Sequence, residues 1–184
     1  MLYIKFKIEK HKNFMEFRVV YHHMLAVRNT GYEAKEDELE FDWNTATPEE
    51  TDDFMDEDKP KIDLFNKLIP DDVSEVLCNY FYFDNTKSML SNEDKLSCIN
   101  YLEYGFEVNL DLLERCKTGV GIVKISTGNY PFGGLERFII SLKAFKLAPF
   151  ECFDGFNVCA LHWVSDVEYE ANIFSEKTKE YLIR

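Results

Sequence analysis

The chain has 184 residues, 46% of them hydrophobic and 15% aromatic, with 34 acids against 21 bases for a net charge of −13. That length is enough for one core that buries about 70% of the unfolded surface without staples. The charge argues against direct binding of nucleic acid, where affinity rests on Lys and Arg neutralising phosphates, and against an anionic membrane surface.

Taken in order, residues 2–9 alternate apolar and charged and predict a strand. Lysines inside this early apolar run make it a poor signal peptide. No uncharged apolar run reaches the length of a membrane span, so the expected location is the cytoplasm. His11, Lys12 and Asn13 read as a turn. Residues 14–28 fit two patterns: Phe14, Phe17, Tyr21, Met24 and Leu25 share a helical face, while Phe17, Val19 and Tyr21 alternate as a strand would. The balance favours a strand for the first half, leading to a turn at Asn29, Thr30 and Gly31.

Residues 33–58 hold the one strongly non-random feature. Thirteen of the 34 acids lie there against one base, Lys35, so the segment carries −12 of the total −13 and the remaining 158 residues are nearly neutral. Such runs are most often solvated and disordered. Here, however, Glu38, Glu40 and Asp42 alternate with Leu39, Phe41 and Trp43, which predicts a strand with an acidic side and an apolar side. Thr47, Pro48 and Glu50 then stand as N-cap, first helical residue and third residue of a capping box. The helix they open should run to about Asp58 and end at Pro60, with Asp52, Asp53, Asp56 and Glu57 on it and Phe54 and Met55 as apolar contacts.

Further helices are expected over residues 61–69, from Asp71 or Asp72 through Tyr80, from Ser91 through Leu102, and from Asn109 through Leu113. Residues 120–125 read as an apolar strand, and Leu135, Phe138, Ile139, Leu142 and Phe145 as one helical stripe. Two strands flanking Asp154 and Gly155 predict a hairpin, and residues 175–183 a closing helix. Together these predict a single α+β domain over residues 1–184, with a mainly antiparallel sheet and helices packed on it.

No constellation names a reaction. The loop from Gly128 to Gly134 follows a strand and precedes a helix, and it matches the first half of a phosphate-binding loop. The second half fails, because Gly134 and Leu135 stand where Lys and Ser or Thr are required. His22 and His23 lack zincin spacing, Cys159 and His162 fall on opposite faces of a strand, and the aspartates lack the ligand alternation of a calcium loop. Five scattered cysteines without a Cys-x-x-Cys pair read as free thiols. Neither a metal nor a cofactor is expected.

Two functional expectations remain. The first is a binding module whose acidic face meets a basic protein, a toxin or a nucleic-acid-binding protein. Glu38, Glu40, Asp42, Glu49, Glu50, Asp52, Asp53, Asp56 and Glu57 would supply charge, and Trp43 an aromatic anchor. Its physical character is that of bacterial immunity proteins that neutralise a nuclease toxin, and of acidic mimics of nucleic acid. The second is an enzyme or small-ligand binder using the Gly128–Gly134 loop, with Tyr130, Arg137 and His162 nearby.

Overall fold

The computed structural model describes residues 1–29, 45–55, 58–82, 91–105, 108–116, 119–126 and 135–183. Period-two alternation gives β1 (Leu2–Lys7), which sends Leu2, Ile4 and Phe6 to one side and Tyr3, Lys5 and Lys7 to the other. β1 lies in the middle of an antiparallel sheet with β2 (Asn109–Arg115), β3 (Val120–Ser126), β4 (Ala148–Phe153), β5 (Val158–Trp163) and β6 (Tyr169–Ile173), in the order β2-β3-β1-β4-β5-β6. Register pairs Ile4 with Val123 on one flank and with Cys152 on the other. One sheet face therefore carries Ile4, Phe6, Val123, Ile125, Cys152, Cys159 and Leu161, all buried.

Helices cover that face. α1 (His11–Val27) brings Phe14 to a centroid distance of 6.3 Å from Phe6. Phe17 of the same helix meets Phe138 of α6 (Leu135–Ala144) at 6.0 Å and Phe145 at 5.4 Å, both edge-on. α3 (Lys59–Leu68), α4 (Asp71–Tyr82) and α5 (Asn92–Asn100) pack beyond this pair, α4 on α6 and on α5, and α5 on α3. Ser91 starts α5 with a complete capping box, its hydroxyl accepting from the Asp94 amide at 3.2 Å while the Asp94 carboxylate accepts from the Ser91 amide at 3.0 Å. Among the described residues, α7 (Ser175–Leu182) is the helix that lies on the opposite sheet face. There Tyr181 packs 4.5 Å from Phe153, and the Thr178 hydroxyl accepts from the Val158 amide at 2.9 Å. This is a single α+β domain with an antiparallel sheet.

Several local expectations are corrected. Residues 14–27 are helical, with Arg28 as the C-cap, and α1 starts at His11 where a turn is expected. Phe14, Phe17, Val20, Tyr21, Met24 and Val27 are buried at spacings of three and four, whereas Val19 of the alternating reading is exposed. Pro60 does not end a helix but stands in the first turn of α3. α2 (Pro48–Met55) is described as far as Met55, and its expected run to about Asp58 passes through residues 56 and 57, which lie outside the described residues. The segment from Asn109 is strand β2, not a helix. A bulge between Leu110 and Leu112 breaks its alternation and lets adjacent leucines mimic a helical pattern. The hairpin between β4 and β5 closes on Asp154 and Asn157, so its two central residues are Gly155 and Phe156. Gly155 takes φ +103°, and the Asp154 carboxylate accepts from the amides of Phe156 and Asn157 at 2.8 and 2.7 Å.

Candidate functional site

The acidic segment enters the described structure at Thr45. Its capping box is formed as the residue types require: the Thr47 amide donates to the Glu50 carboxylate at 2.7 Å, and the Glu50 amide donates back to the Thr47 hydroxyl at 3.2 Å. The bonds that the Thr47 amide and hydroxyl donate to it hold the Glu50 carboxyl below its ordinary value. Two further bonds reinforce the start of the helix, from the Thr51 amide and from the Thr51 hydroxyl to the Thr47 carbonyl, both at 2.9 Å.

Glu49, Glu50 and Asp52 are all exposed on α2. None of the three forms an ion pair among the described residues. Asp53 belongs to the same helix. The remaining expected site residues, Glu38, Glu40, Asp42, Trp43, Asp56 and Glu57, lie outside the described residues, as do the Gly128–Gly134 loop and Tyr130. Arg137 stands in the first turn of α6 with its guanidinium 4.7 Å from the Tyr101 ring centre. His162 is exposed on β5, opposite Glu170.

Two polar clusters were not legible in the sequence. On the sheet face that carries α7 the buried Glu151 carboxylate accepts from Lys5 at 2.6 Å, from Lys177 at 2.7 Å and from the Tyr3 hydroxyl at 3.1 Å. Burial alone pushes this carboxyl up, but the bonds from Lys177, Lys5 and Tyr3 outweigh it and leave it below the usual glutamate range. Between α1 and a π-helical turn (Tyr101–Gly105), His23 Nε2 lies 2.7 Å from the buried Glu103 carboxylate. Close by, Arg28 donates to the carbonyls of Met24 at 2.8 Å and Leu102 at 3.3 Å. Burial lowers the Arg28 value, and the Glu103 charge works against that. The first cluster ties α7 to the sheet, and the second ties the end of α1 to the turn.

A depression of about 200 Å³ lies beside Lys143, Ala144 and Lys146. It is smaller than the 300–1,000 Å³ typical of ligand pockets. Its lysines are already engaged, Lys143 with Asp166 at 3.8 Å and Lys146 with Asp72. Among the described residues no group of three or more His, Cys, Asp or Glu side chains is placed to hold a metal ion. No described helix is long and apolar enough to cross a membrane. Comparison with family models, with characterised proteins and with solved structures finds no match for this chain.

Proposed function

We propose that this protein is a binding module that neutralises a basic partner through its acidic segment, in the manner of an immunity protein held against a bacterial toxin, a nuclease being one such target. The observation that carries the reading is α2: a helix fixed by its own capping box, displaying Glu49, Glu50 and Asp52 to solvent without a countercharge among the described residues. Carboxylates left unpaired are available to a partner's lysines and arginines. Held on a helix, they avoid much of the ordering entropy that a flexible acidic tail would lose on binding. Rim charges of this kind act mainly on association rate, which they raise by about 10- to 1,000-fold at low salt.

The test replaces Glu49 and Glu50 by Gln and Asp52 and Asp53 by Asn, which keeps a residue able to complete the capping box at position 50. Wild-type protein immobilised against host extract should retain a basic protein whose association slows steeply with ionic strength. The neutral variant should bind that same protein at least about tenfold more weakly, with a flatter salt dependence. Equal association rates for the two proteins at low salt would remove the acidic face from the account.

A further inference from the structure

The two outer strands of the sheet are built differently. β2 carries the marks of a protected edge, with the bulge between Leu110 and Leu112 and exposed charges at Asp111, Glu114 and Arg115. β6 has neither a bulge nor a Lys or Pro: its register with β5 runs unbroken from Tyr169 opposite Trp163 to Ile173 opposite Cys159. Residues 170–173 are exposed, and among the described residues no strand pairs with the outer side of β6.

The hydrogen-bond parity of that edge follows from two bonds. Val164 donates to the Glu168 carbonyl at 2.9 Å and Phe174 donates to the Val158 carbonyl at 2.8 Å. Antiparallel pairing alternates, so Glu168, Glu170, Asn172 and Phe174 turn their backbone groups toward β5. Tyr169, Ala171 and Ile173 point their amides and carbonyls outward. Side chains alternate as well: Glu170 and Asn172 stand on one face, and Tyr169, Ala171 and Ile173 on the other, where the line of apolar residues ends in the exposed Ile173 (58%). Glu168 and Glu170 are exposed, and no Lys or Arg pairs with them among the described residues.

We propose that β6 is a docking edge for an extended strand of alternating basic and apolar residues, which adds to the sheet through the outward backbone groups of Tyr169, Ala171 and Ile173. Its basic side chains lie beside Glu170, and its apolar ones continue the surface of Tyr169, Ala171 and Ile173. Backbone pairing supplies the attachment and the two faces supply the selectivity, as in other cases of strand addition. A second copy of this chain suits the edge poorly, because it would bring Glu168 and Glu170 and a further net charge of −13 to the same place. The inference rests on the proposed function only for the positive charge of the partner.

The probe is a synthetic peptide alternating lysine and valine, with its glutamate–valine counterpart as control, followed by amide hydrogen exchange on the full chain. Tyr169, Ala171 and Ile173 should exchange fast in the free protein and slowly with the lysine peptide at saturation, while Glu170 and Asn172 are protected throughout. Ala171→Pro removes an outward amide that bonds nothing in β5. It should weaken the lysine peptide at least about tenfold while the unfolding temperature and the protection of Glu170 and Asn172 persist. Glu170→Lys, which leaves the backbone intact, should turn the preference toward the glutamate peptide. Unchanged exchange at the three amides, full binding by Ala171→Pro, or equal binding of both peptides would each overturn the proposal. The α2 variant should leave these readings untouched, so the edge and the acidic helix stand or fall separately.

Discussion

Replacing Glu151 by alanine should destabilise the fold by about 2–3 kcal/mol. Removing one member of a fully buried ion pair costs about 3–5 kcal/mol, because the other charge is stranded in a poor solvent. Here the partners escape part of that cost: the Lys5 and Lys177 side chains are 38% and 54% exposed, so their ammonium groups rehydrate once released. What remains is about 1 kcal/mol for each lost bond from Lys5, Lys177 and Tyr3, with the Tyr3 hydroxyl left buried. For a chain of this length the loss corresponds to a fall in unfolding temperature of about 5–10 °C. Glu151→Gln, which can still accept two of the bonds, should fall between wild type and alanine.

The pH dependence has a definite sign. The folded carboxyl sits below its ordinary value of 4.5, so its contribution is complete above that value and disappears as pH drops through the lowered folded value. Thermal unfolding followed by circular dichroism across the acid range should show wild type and Glu151→Gln converging as pH falls. A Glu151→Ala unfolding temperature within about 2 °C of wild type at neutral pH would refute the reasoning.

Two other predictions concern the core. A methyl group at Gly121 would overlap the ring of Phe6, a residue with no exposed surface. Gly121→Ala should therefore cost about 1–3 kcal/mol in urea unfolding, and Phe6→Leu in the same chain should recover part of the loss that Gly121→Ala adds. In thiol labelling of the native protein, the exposed Cys116 should react ahead of Cys98, Cys152 and Cys159, which react only on unfolding. Burial pushes the Cys152 thiol up to about 12 and raises that of Cys159. Rapid native-state labelling of Cys152 would contradict the packing of β4 on β5.

Much of this fold was legible locally. Capping signals at Thr47 and Ser91 marked helix starts because the bonds that form a cap lie within four residues. The alternation of residues 2–7 survived because one face of β1 is buried. β6 escaped notice for the opposite reason: it has exposed residues at four of five positions, so no apolar period marks it. The Glu151 cluster was equally silent, since Lys5 and Glu151 are 146 residues apart and meet only through strand register. The acidic segment announced itself by charge, but its chemistry as a surface depends on α2 being held by Thr47 and Glu50.

The place of β1 bears on how the chain is made. β1 precedes the other described strands in the chain yet stands inside the sheet, and neither of its neighbours exists until residues 120–126 and then 148–153 have been synthesised. Leu2, Ile4 and Phe6 thus wait without their strand partners until those two segments emerge. Such long-range closure makes folding slow relative to a helical bundle of this size, and it leaves the growing chain dependent on whatever shields β1. A circular permutant opened just before β2 would deliver β1 after both of its neighbours while keeping the strand order of the sheet.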